Sequence, residues 1–125
     1  QSIAEGFDLL RHSKEFNYDL KKVSGVYSHG SVITSSLVLW MHDAYEKYGA
    51  DLNEISGRAS ASGDGSWAVD AGEREGVAMP AIQASLEVRT QSQTKPSYQG
   101  KVISAMRGEF GQHPVRRGED ELEIL

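Results

Sequence analysis

Between Val32 and Tyr48 lies the apolar stretch that most limits how the chain can fold. Ile33, Leu37, Trp40, Met41, Ala44 and Tyr48 fall on one side of a helix, and Leu39 and Tyr45 widen the apolar surface around it. A helix that is apolar over most of its circumference belongs at the centre of a packing. The sequence therefore predicts a central helix from about Val32 to Tyr48, begun by a cap at Ser31 after the break at Gly30 and ended by Gly49. Before it, Ile3, Phe7 and Leu10, with Ala4 beside them, recur at helical spacing over residues 1 to about 13. Asp19 is placed to cap a short helix whose face is Leu20, Val23 and Tyr27.

After it, Leu52 to Ile55 fits a single turn, and Ser56 to Ser66 is small, polar and glycine-rich, the composition of an exposed loop. Trp67 to Glu75 resumes a helical pattern that closes at Gly76. Pro80 suits the first turn of the next helix, which carries Ile82, Leu86 and Arg89. Gln91 to Pro96 is a polar connector. Tyr98, Val102, Met106 and Phe110 then recur every four residues until Gly111 and Pro114 stop the helix. No stretch alternates as a strand for more than a few residues. The expected fold is all-α, with six or seven helices of uneven length.

Several classes of function are excluded at this level. At 125 residues the chain is one domain's worth. A net charge of -5 argues against a nucleic-acid surface. Without cysteine there are no disulfides, no thiol chemistry and no thiolate zinc site. His12, His29 and His42 show no pair at i, i+4 spacing, so no metal centre is expected. The longest strongly apolar run, Leu37 to Met41, cannot span a bilayer, and no signal-peptide pattern opens the chain. These features predict a cytoplasmic domain. The chain opens on Gln1 inside a helical pattern, which reads as the continuation of a longer helix.

Two arginines and a histidine are the candidate functional residues. Arg107 falls in the last turn of the final helix, where its charge offsets the negative helix end, and His113 follows on a short arm. Arg89 lies on a helix with its stem over apolar neighbours. Local features alone make all three ordinary surface residues.

Four segments in order carry more. They are Ala4-Glu5-Gly6-Phe7-Asp8-Leu9-Leu10, His29-Gly30-Ser31-Val32-Ile33, Ser62-Gly63-Asp64-Gly65-Ser66-Trp67, and the Arg107, Phe110-Gly111, His113 arm. Together they resemble the C-terminal helical domain of decarboxylating 6-phosphogluconate dehydrogenases, in the short bacterial-type form that lacks a second helical repeat. The resemblance implies a helical substrate-binding and dimerisation domain over residues 1–113, starting within the interdomain helix. It also implies a Rossmann domain that this chain lacks, and residues 114–125 read as an acidic, mobile tail.

By the same resemblance Arg89, Arg107 and His113 bind the phosphate of 6-phosphogluconate, and the terminal arm crosses to the partner of a homodimer. The catalytic lysine and acid lie upstream of Gln1, so no catalytic group is expected here and the fragment alone should be inactive. NADP or NAD would be held mainly by the missing domain. Ser66, a fourth candidate substrate contact, stands where the family carries a basic phosphate contact, and a hydroxyl supplies a hydrogen bond without charge. Thr34 stands where its core helix commonly has arginine. Two other readings share these features: a stand-alone helical dimerisation module, and a related β-hydroxyacid dehydrogenase domain with another substrate.

Overall fold

The structure, a computed structural model, describes residues 1–110. Among them are six helices and no strand: α1 (Ser2–His12), α2 (Leu20–Tyr27), α3 (Ser36–Tyr48), α4 (Asp64–Glu75), α5 (Pro80–Ser92) and α6 (Tyr98–Glu109). None of the six is long and apolar enough to cross a membrane. Helix α3 is central, packed on α2 and α6, while α1 lies chiefly against α6.

Each end of the short α2 is fixed by side chains. Asp19 accepts the Lys22 N–H at 3.2 Å to open the helix, as its sequence position predicts. At the other end Ser31 and Thr34 both donate to the Tyr27 carbonyl. That contact changes the start of α3. Ser31 is occupied in closing α2 rather than opening α3, so Val32 and Ile33 lie in a turn. The cap is Ser35, whose Oγ accepts the Val38 N–H at 3.4 Å. Helix α3 thus begins at Ser36, four residues later than expected. Replacing Ser35 by alanine should lower stability by about 1 kcal/mol in urea unfolding, the usual worth of a serine cap.

The buried side of α3 is also turned from the expected one. Val38, Met41, Ala44 and Tyr45 are enclosed, whereas Ile33, Leu37 and Leu39 stay about half exposed and Val32 is fully exposed. Phe7 on α1 meets the Tyr27 ring edge-on at 5.9 Å and the Tyr45 ring at 5.9 Å, joining three helices at one aromatic contact. Tyr45 is buried with its hydroxyl satisfied: it donates to Tyr98 Oη at 3.1 Å, and Tyr98 donates to the Ala50 carbonyl at 2.7 Å. Burial pushes the Tyr45 hydroxyl far above its ordinary titration range.

Only the later part of the segment after Ile55, where Ser60 and Ser62 are exposed, is the open loop its composition suggests. Ser56, Gly57 and Ala59 are buried, running between α5 and α6. Small side chains here permit close approach rather than solvation. Ser97 N–H and Ser104 Oγ donate to the carbonyls of Gly57 and Arg58, at 3.3 and 3.2 Å. Helices α4 and α5 form a hairpin packed mainly on itself. Gly76, at φ 70°, ends α4 in the left-handed conformation a glycine adopts without steric cost.

Candidate functional site

A cleft of about 420 Å³ opens between the α4–α5 hairpin and the layer formed by α1, α3 and α6. Its polar wall is Arg89 from α5, Arg107 from α6, and the Ser62 to Gly65 turn that starts α4. Its apolar floor is Ile3, Leu37, Ile103, Met106 and Phe110. Phe110 stacks on Trp40 with ring centres 4.7 Å apart, which holds that edge of the floor. Gln1, at the start of α1, also lines the cleft, so any chain preceding it enters beside the arginines.

The two arginines share the cleft without ion-pair partners among the described residues. Arg107 Nη1 donates to the Ser60 carbonyl at 3.3 Å. Arg89 is half-buried, and its Nε–H is enclosed without any hydrogen-bond acceptor. Burial, and then the nearby charge of Arg107, lower the pKa of the Arg89 guanidinium from its ordinary value. An enclosed cation beside a like charge is what an anionic ligand relieves.

Backbone donors add to this wall. Gly63, at φ 95°, precedes α4 without a side-chain cap, and the first helix bond runs from Trp67 N–H to the Gly63 carbonyl at 3.1 Å. The N–H groups of Asp64, Gly65 and Ser66 therefore lack intrahelical acceptors at the positive end of the helix. Asp64 also lines the cleft, and its charge offsets part of the positive charge there. The arrangement has enough donors to bind a dianion and contains no acid–base pair.

The structure thus brings Arg89 and Arg107 together in one chain, where the resemblance had Arg107 cross to the partner with the terminal arm. Ser66 is not brought in: its hydroxyl donates to the Gly63 carbonyl at 2.8 Å, and it is not among the lining residues. His113 and residues 114–125 lie outside the described residues. No group of three His, Asp or Glu side chains able to hold a metal is found among the described residues. Gly63 and Gly65 carry part of the family resemblance and Leu37 lies on the predicted core face, but the sequence alone does not mark any of the three as a cleft residue. A signal for the first two was present: two glycines bracketing Asp64 allow a helix to start with bare N–H groups, three residues before the apolar pattern begins.

The fold and the cleft together describe an all-helical domain presenting paired guanidiniums over an apolar floor. Residues 1–124 match the family model for the 6-phosphogluconate dehydrogenase C-terminal domain, and the chain belongs to that family. It is 40% identical over 116 residues to a Bacillus subtilis (strain 168) protein named "Putative 6-phosphogluconate dehydrogenase YqeC", covering 93% of this chain and 38% of that one. It is 29% identical over 120 residues to the NAD(+)-dependent, decarboxylating 6-phosphogluconate dehydrogenase of Haloferax volcanii, covering 96% of this chain and 40% of that one. The chain therefore spans about two fifths of the length of these relatives.

Proposed function

We propose that this chain is the sugar-phosphate-binding and dimerisation domain of an NAD(P)-dependent, decarboxylating 6-phosphogluconate dehydrogenase. The observation that carries the reading is the enclosed Nε–H of Arg89, without an acceptor among the described residues, beside the charge of Arg107, which has no ion-pair partner among them. A phosphate would meet both guanidinium forks and the bare N–H groups at the start of α4. His113, on the arm beyond Phe110, would add a further donor.

The complete enzyme would oxidise C3 of 6-phosphogluconate, lose carbon dioxide from the resulting β-keto acid, and leave ribulose 5-phosphate. The nicotinamide that accepts the hydride would be held elsewhere, because the described residues contain no strand–glycine–helix unit to hold a dinucleotide. This domain's share is to anchor the phosphate, orient C3 from that remote contact, and exclude water over the Ile103–Met106–Phe110 floor. A second copy would cover the exposed Val32, Ile33 and Leu39 around the start of α3. In that dimer Arg107 serves its own chain's cleft and the residues after Phe110 cross to the partner.

The test is turnover by the complete protein. With 6-phosphogluconate and NAD or NADP, reduced nicotinamide and carbon dioxide should form one for one. Gluconate, which lacks the phosphate, should be turned over at least about tenfold less efficiently, the worth of one lost charge-assisted contact. Equal turnover of the two would assign the chain to a β-hydroxyacid dehydrogenase with another substrate. No turnover of either would leave a dimerisation module.

A further inference from the structure

Helices α4 and α5 carry one whole wall of the cleft, yet they pack mainly on each other. Where, then, is the distance between Arg89 on the hairpin and Arg107 on α6 fixed? The described hydrogen bonds between the hairpin and the rest of the chain converge on one short contact, at the end of α5. Ala59 N–H donates to Ser92 Oγ at 2.9 Å, and Ser92 Oγ donates in turn to the carbonyl of Arg89 at 2.6 Å. Gln93 Nε2 donates to the Ala59 carbonyl at 2.7 Å, and Arg58 Nε donates to the Gln93 carbonyl at 3.0 Å.

One end of this contact is the backbone of Arg89 itself. The other is the Arg58–Ala59 segment, which has Ala59 buried and which α6 holds through Ser104 Oγ to the Arg58 carbonyl at 3.2 Å. The neighbouring Ser60 carbonyl takes the Arg107 guanidinium. Arg89 and Arg107 are therefore joined by a continuous line of hydrogen bonds that passes through the backbone of Ala59 and Ser60. Ser92 is 3% exposed, so water does not compete for these partners.

We propose that Ser92 and Gln93 are positioning residues: they set the spacing of Arg89 from Arg107, and so the affinity of the cleft for its phosphate ligand. The inference rests on the reading of Arg89 as a phosphate contact. Neither side chain reaches the cleft, since both spend their polar atoms on Ala59, Arg89 and each other. Their effect on a ligand must pass through the arginine.

A double-mutant cycle in the complete enzyme tests this, with Gln93→Met removing the amide while keeping the reach of the side chain and adding no charge. Gln93→Met should raise the KM for 6-phosphogluconate by about three- to tenfold, a fraction of the loss from removing an arginine contact, with a smaller change in kcat. In the Arg89→Ala background the same substitution should add nothing, because the group it positions is gone. Ser92→Ala, which cuts the other link, should behave alike and serves if Gln93→Met does not fold. A merely structural role would lower the unfolding temperature and leave KM unmoved, or would add its effect in full to that of Arg89→Ala; either outcome overturns the proposal. If Arg89→Ala itself leaves KM unchanged, it is the phosphate-site reading that falls.

Discussion

Gly100→Ala should unfold the chain at least about 10 °C below the parent, the shift that corresponds to roughly 3 kcal/mol in a domain of this size. Two effects oppose each other at this position. Alanine is the better helix former by about 1 kcal/mol, and Gly100 lies in the first turn of α6. Against this, a methyl group there would overlap the Gly57 carbonyl oxygen, with its carbon only 2.6 Å away. A methyl on Gly57 would in turn lie 2.6 Å from the Ser97 nitrogen and 2.7 Å from the Ser97 oxygen. These are backbone atoms, which cannot rotate aside as a side chain can. Separating the two segments would break the Ser97 N–H contact to Gly57 and strain those of Ser104 and Arg107 beyond it. The steric term therefore wins, as overpacking against backbone does. Gly6→Ala is the matched control. Gly6 is exposed within α1 with nothing inside 4 Å of an added methyl, so there the propensity term stands alone and stability should rise by up to about 1 kcal/mol. Equal melting temperatures for Gly100→Ala and the parent would show that the two segments do not touch.

The same glycines mark where the sequence was legible and where it was not. Helices with one apolar face and a punctuating residue at each end were readable: Asp19, Gly49, Gly76 and Pro80 all act where their chemistry places them. The all-α class followed from those. Two things were hidden, both because a residue type serves two physical ends. Serine before an apolar run is a helix cap, but it also closes a preceding helix, and Ser31 takes the second role because Tyr27 presents a free carbonyl one turn back. Glycine and small residues in a run suit a solvated loop, but they equally suit a segment threaded between two helices. Only the partner Gly100, more than forty positions away, distinguishes the cases for Gly57. In the cleft, the arginines were picked out by resemblance to a family motif, not by local chemistry. Their shared wall depends on the α4–α5 hairpin folding back, which no periodicity reports. Backbone donors such as those at Gly63 to Gly65 have no side-chain signal beyond the glycines themselves.

In the complete enzyme, Arg107→Ala should raise the KM for 6-phosphogluconate about ten- to a hundred-fold, the worth of a charge-assisted hydrogen bond of about 1.5–3 kcal/mol. Turnover should fall less, because the phosphate is remote from the reacting carbons and its contact is made in ground state and transition state alike. A split of this kind separates a binding role from the mere dipole-offsetting role of an arginine in a last helical turn, which would move neither constant. Subunit mixing then asks whose cleft the guanidinium serves. Arg107 donates to Ser60 and faces Arg89 within its own chain. If the protein is the dimer proposed above, mixing Arg107→Ala subunits with subunits that lack the catalytic lysine the family resemblance places before Gln1 should therefore restore nothing, since one site in each mixed dimer lacks the arginine and the other lacks the lysine. His113→Ala subunits in the same mixture should regain activity if the arm beyond Phe110 crosses, because the site that keeps its lysine then receives an intact arm. Recovery with Arg107→Ala would place the guanidinium in the partner's cleft, and α6 would have to exchange between subunits to bring it there. Failure to recover with His113→Ala would confine the arm to its own chain.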